Sequence, residues 1–90
     1  MKQKLEQEEK IIEKIKEIVS KTVEYEISPD RISETTPFME MYFVDSLSLM
    51  HIMINVEKEF NINFKREVEE LDDIFHSIKS LADYISKKQK

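Results

Sequence analysis

At 90 residues the chain has room for one domain, and a hydrophobic content of 40% supports one modest core. Lys and Arg number 14 against 19 Asp and Glu, and the net charge of -5 argues against nucleic acid as the main partner, since phosphate backbones need a basic surface. Cysteine is absent, excluding disulfides and thiolate chemistry, and so is glycine, where average usage would supply roughly six residues; neither glycine-rich phosphate loops nor left-handed helix caps are expected, which leaves an all-α fold.

Met1 to Lys10 are too polar for a secretory signal. No stretch approaches the roughly 18 apolar residues of a membrane span. The expectation is a cytoplasmic monomer, with no membrane or nucleic-acid partner. A single domain over 1–90 is expected, its tails frayed over about 1–6 and 87–90.

The first helix is predicted from about Leu5 to Tyr25, because Ile11, Ile12, Ile15, Ile18 and Val19 form one helical stripe. Glu13 with Lys16 and Glu17 with Lys21 are candidate ion pairs along it. A long connection follows, from about Glu26 to Asp45, with both prolines, Pro29 and Pro37. It also carries Ile27, Ile32, Phe38, Met39, Met41, Tyr42, Phe43 and Val44, too apolar for a flexible linker. It is expected to lie across the helices and fill gaps between them. So long a loop in so small a domain usually serves function.

The second helix is predicted from Asp45-Ser46 to about Phe60, where Asn61-Ile62-Asn63 breaks it. A short acidic helix is predicted over about Arg66 to Leu71. The last helix begins near Ser77, a natural N-cap, and carries Ile78, Leu81, Ala82 and Ile85 on one face. Its tail, Lys87-Lys88-Gln89-Lys90, suits a helix C-terminus, where cations are favoured. The fold class is all-α: a four-helix bundle with a long first loop and a short third helix.

Projected at about 100° per residue, with Ser46 at zero, the second helix has a core arc of Leu49, Ile52, Met53, Val56 and Phe60. Ser48, His51, Asn55 and Glu59 fall on the polar side. Leu47, Met50 and Ile54 lie outside the core arc, on the side of Ser46, and Glu57 joins them. Two readings stand. Either a wide core stripe is covered by the long loop, or these three side chains stay at least half exposed and dock onto partners. Methionine suits docking because it is flexible.

Ser46 opens this helix, where unpaired N–H groups and the positive dipole end favour a phosphate. The plain alternative is that Asp45 or Ser46 merely caps the helix.

The stretch Asp45-Ser46-Leu47, with the helix ending Val56-Glu57-Lys58-Glu59-Phe60, resembles the acyl carrier protein family. So does the last helix, Phe75-His76-Ser77-Ile78-Lys79-Ser80-Leu81-Ala82-Asp83-Tyr84-Ile85. The likeness covers about Ile11 to Ile85 in helix order and in the long first loop. It implies a 4′-phosphopantetheine, taken from coenzyme A, joined to Ser46 through a phosphodiester. The terminal thiol of that arm carries acyl or aminoacyl groups as thioesters. This accords with a cysteine-free chain, which needs a cofactor to supply sulfur. The resemblance further implies that Asp45 holds the turn and that Leu47, Met50, Ile54 and Glu57 meet partner enzymes. Those partners are a phosphopantetheinyl transferase, a loading ligase and downstream synthases.

Three departures stand out. Phe43 occupies the place, three residues before the serine, where the family often has glycine. The partner helix is nearly balanced in charge, with His51, Asn55 and Lys58 beside Glu57 and Glu59. Glu67, Glu69, Glu70, Asp72 and Asp73 concentrate negative charge in a segment slightly longer than usual. Together these point to a specialised carrier for a dedicated pathway such as polyketide, nonribosomal peptide or aminoacyl chemistry, within the fatty-acid, polyketide or nonribosomal peptide range that the resemblance implies.

Other sites have plainer readings. His51 and His76 lack the companions of a zinc site, and Ser46 and His51 lie about 140° apart around the helix, too far for a catalytic pair. The acidic run lacks the spacing of a calcium loop. Met39, Met41, Met50 and Met53 read as core rather than cofactor site, and Phe75 and Tyr84 as core. The leading expectation is a freestanding carrier that is not an enzyme. Its rival is a non-carrier helical adaptor that holds one stable partner through Leu47, Met50 and Ile54.

Overall fold

A computed structural model describes residues 2–41, 43–64 and 71–88, with side chains from residue 7 onward and, after the second gap, from residue 73. Four helical segments run in order: α1 over Lys2–Thr22, α2 over Ser46–Phe60, α3 over Leu71–Ile74 and α4 over Ile78–Lys88. The described residues contain no strand. No helix among them is long and apolar enough to cross a membrane.

α1 spans 21 residues and stops at Thr22 rather than near Tyr25. The Thr22 hydroxyl donates back to the Ile18 carbonyl at 2.6 Å, and the Ser20 hydroxyl donates to the Ile27 carbonyl, so the chain has already turned by then. Glu17 pairs with Lys14 instead of Lys21, and Lys14 also reaches Glu59 on α2 at 3.8 Å. Such exposed pairs contribute about 1 kcal/mol at most.

The connection from residue 23 to residue 45 holds two single turns of tighter helix, Pro29–Arg31 and Phe38–Glu40. It is a packed strap, as its apolar content requires: Ile32, Phe38, Met41, Phe43 and Val44 are all buried. Its first half is braced by the Ser33 hydroxyl, which accepts from the N–H groups of Thr35 and Thr36. Two main-chain bonds fasten it to the start of α4. Phe38 N–H donates to the His76 carbonyl at 2.9 Å, and Lys79 N–H donates to the Glu34 carbonyl at 2.8 Å. Tyr42 lies outside the described residues.

α1 packs against both α2 and α4, and α3 sits on α4. Ile15, Val19, Ile52, Val56, Leu81 and Ile85 meet at the centre with no exposed surface to speak of. Each such buried aliphatic side chain contributes roughly 1.5–3 kcal/mol relative to exposure. Behind them Phe64 stands edge-on to Phe75, centroids 4.9 Å apart, and tilts over Tyr84 at 5.5 Å.

The acidic residues Glu67, Glu69 and Glu70, and most of the short helix predicted over 66–71, lie outside the described residues. α3 begins at Leu71, where that prediction ended. Ser77 caps α4 as its position suggested: its hydroxyl accepts from Ser80 N–H at 3.2 Å, and the Ser80 hydroxyl accepts from Ser77 N–H at 2.9 Å. The pair reproduces a capping box with a second serine in place of the usual Glu or Gln.

One expectation is overturned. The absence of glycine predicts no left-handed cap, yet Asn61 ends α2 at φ 53° and ψ 50°. Asparagine tolerates this conformation because its short polar side chain can bond locally. Among the described residues it is the only one with positive φ, so Phe43 adopts ordinary backbone where glycine's freedom would be wasted.

Candidate functional site

α2 begins with a division of labour between adjacent residues. Asp45 sits in extended backbone as the N-cap, and its Oδ1 accepts from Ser48 N–H at 2.7 Å. Its carbonyl accepts from Leu49 N–H at 2.9 Å and closes the first helical turn. The Ser48 N–H, and after it the Ser48 hydroxyl, hold the Asp45 carboxyl below its ordinary pKa. With the cap supplied by Asp45, Ser46 is the first residue of the helix and is exposed. Its hydroxyl makes no hydrogen bond to any described residue. Of the two residues that could cap the helix, Asp45 does so and Ser46 does not.

A groove opens beside Ser46. Leu49, Met50 and Met53 form its α2 wall; Pro37, Met39 and Glu40 of the strap face them, and Phe75 and His76 close one side. Its volume is about 530 Å³, within the range typical of small-molecule sites. On the opposite side of Ser46 lies a smaller, more polar recess among Glu24, Tyr25, Asp45, Leu47 and His51.

Leu47 is 62% exposed, Met50 55% and Ile54 41%. The loop does not cover them, so the wide-core reading of α2 fails. Ile54 falls short of the half exposure expected of it. The core arc holds Ile52 and Val56 fully buried, with Leu49, Met53 and Phe60 half-buried. His51 and His76 are both exposed.

Glu57 behaves differently from the other predicted contact residues. It is half-buried, and its Oε2 accepts from Phe64 N–H at 2.8 Å. Its carbonyl accepts from the N–H groups of Asn61 and Ile62. Glu57 thus organises the far end of α2.

Met39 was missed as a site residue. It was grouped with the core methionines, but it is 61% exposed, and Met50 also faces solvent; only Met41 is buried. The signal lay in Pro37-Phe38-Met39-Glu40: so short a turn buries one large side chain, and Phe38 takes that place. Phe75 and His76 come to Ser46 only through the strap, and no local pattern announces them.

A family model described as the phosphopantetheine attachment site matches residues 13–85. The chain is 33% identical over 79 residues to the acyl carrier protein of Lactobacillus acidophilus, covering 88% of this chain and 89% of that relative. The chain belongs to the acyl carrier protein family. No solved structure gives a significant match. Members of this family are carriers rather than catalysts and bear a covalently attached 4′-phosphopantetheine. They work with a phosphopantetheinyl transferase and with biosynthetic enzymes. The residues here fit such a group: an exposed, uncommitted hydroxyl stands at a helix N-terminus, with an apolar groove alongside.

Proposed function

We propose that Ser46 is the attachment point of the 4′-phosphopantetheine, and that the chain is a monomeric, cytoplasmic carrier of acyl or aminoacyl intermediates. The observation that carries this reading is the separation of roles at the start of α2: Asp45 supplies the side-chain cap through Ser48 N–H, which leaves the Ser46 hydroxyl open for modification. The attached group supplies the thiol on which cargo rides as a thioester. Ser46 anchors it, and the free N–H groups and positive dipole end of α2 favour the phosphodiester charge. Asp45 keeps the serine presented, although its own negative charge sits close to that phosphate.

The four segments together are read as a four-helix bundle with a long first loop, a single carrier domain over 1–90. Leu47, Met50 and Ile54, with Met39 across the groove, form the surface that partner enzymes meet. So small an apolar patch suits brief encounters, which a carrier needs in order to leave each enzyme after transfer. Glu57 takes part in that surface through shape, since its carboxylate is engaged with Phe64. The partners are a phosphopantetheinyl transferase, a loading ligase and synthases of fatty-acid, polyketide or nonribosomal peptide type.

Intact-mass analysis after incubation with coenzyme A and a broad-specificity transferase tests the attachment. One phosphopantetheine should be added to the wild type and none to Ser46→Ala, with helical content unchanged. Addition to the alanine variant would refute Ser46 as the anchor.

A further inference from the structure

We infer that the outward face of α2 meets an acidic protein surface at its far end, where Lys58 and Lys21 receive partner carboxylates roughly 18 Å along the helix from Ser46. This deepens, and rests on, the reading of that face as the surface that partner enzymes meet. Leu47, His51, Ile54 and Lys58 follow one another at helical spacing, and all four are exposed. Lys58 therefore continues the apolar contact stripe instead of lying behind it. The carboxylates nearest to it are already engaged. Glu57 accepts from Phe64 N–H, while Glu59 and Glu17 stand 3.8 Å and 3.7 Å from the same Lys14 ammonium. Lys21 and Lys58 form no ion pair with any described residue.

Tertiary packing brings the two lysines together. Lys21, Asn55 and Lys58 line one groove between α1 and α2. Beside Lys21, the Asn55 side-chain amide donates to the Thr22 hydroxyl at 2.9 Å and ties the two helices. Both lysines stand in the last turn of their helices, where the dipole favours a cation. That placement stabilises each helix and still leaves both side chains exposed. The Ser46 end of the face has the opposite sign, since Asp45 and Glu24 border the recess beside Leu47. The face thus has a direction, acidic at the serine and basic at the far end. On a chain of net charge -5, an acidic partner is repelled by most of the surface and accepted here. Exposed ion pairs are individually weak, so this arrangement sets the orientation of docking and its rate more than its strength.

The test uses two short amphipathic helical peptides with one leucine pattern, one with Glu and the other with Lys at every polar position. Each is titrated into the isotope-labelled unmodified protein and into Ser46→Ala, and the amide resonances are followed. The Glu peptide should shift Ile54, Lys58 and Lys21 in both proteins, and less so as salt is added. The Lys peptide should leave those residues unmoved. Lys21→Glu with Lys58→Glu should weaken the Glu peptide roughly tenfold with helical content unchanged. Lys79→Glu with Lys87→Glu, which alters net charge equally on α4, should change its affinity by no more than about twofold. A Glu peptide that does not bind or binds elsewhere, a Lys peptide that takes the same face, or equal losses in the two double variants would each overturn the proposal. A chain that gains no mass from coenzyme A while the peptides behave as stated would instead overturn the assignment of Ser46.

Discussion

The two ends of α2 are built from the same kinds of residue and finished in opposite ways. At the start, one carboxylate, Asp45, accepts from Ser48 N–H at the surface, and the adjoining Ser46, Leu47 and Met50 are left facing solvent. At the finish, Glu57 gathers Asn61 and Ile62 on its carbonyl and Phe64 on its carboxylate, and Phe64 then enters the core. One end is closed so that the other can stay open. The axis of α2 is fixed from its far end and from the buried faces of Ile52 and Val56, which leaves the exposed Ser46 on a rigid support.

Substitutions that break the closed end should have the largest effects. Phe64→Ala removes a fully packed ring and its contacts with Phe75 and Tyr84, and should cost about 3–5 kcal/mol in denaturant unfolding. For a domain whose whole stability is on the order of 5–15 kcal/mol, that approaches unfolding. Glu57→Ala leaves the half-buried Phe64 N–H without its charged acceptor and should cost about 1.5–3 kcal/mol. A cost below half a kcal/mol would show that water replaces the carboxylate and that the closed end is looser than described.

The open end should respond to pH. The Asp45 pKa is lowered in the folded state, first by the Ser48 N–H, so the ionised cap favours folding above the ordinary aspartate value of about 3.9. That contribution should decline as pH falls below this value and be lost below the depressed folded pKa. Asp45→Asn keeps a good capping residue without the charge. The stability gap between wild type and Asp45→Asn should therefore narrow through that acid window, as read from urea unfolding at a series of pH values. A gap that widens on acidification would contradict the sign.

Smallest in stability are the outward side chains. Leu47→Glu or Met50→Glu should change stability by no more than about 0.5 kcal/mol, because neither residue is packed. Each should slow phosphopantetheine transfer at fixed transferase concentration, since the apolar contact is replaced by a charge. Slowed transfer with unchanged unfolding would separate the two ends of the helix by function.

Much of this was written locally. The stripe from Ile11 to Val19 set the buried face of α1, the projection of α2 separated Ile52 and Val56 from Leu47 and Met50, and Ser77 announced the start of α4. Such features follow from a period of 3.6 residues and from the four unsatisfied N–H groups at a helix start, both short-range properties. Asp45-Ser46 was legible as a helix start for the same reason, and as an attachment site only through the resemblance to the family. Asn61 ends α2 where the sequence places the break, but in a left-handed conformation that the lack of glycine seemed to exclude, since asparagine also reaches it.

The groove belongs to another level. Met39, Met53 and Phe75 are far apart in the chain and meet only because Phe38 N–H and the His76 carbonyl join the strap to the entrance of α4. Periodicity says which face of each helix is apolar, but not which apolar side chain a folded loop will cover, since that depends on how the strap fills the space left by the helices. The sequence by itself determined the helices, their buried faces and the serine at a capped terminus. The tertiary structure alone decided what surrounds that serine, because a cavity is defined by atoms that approach through space and share no local pattern.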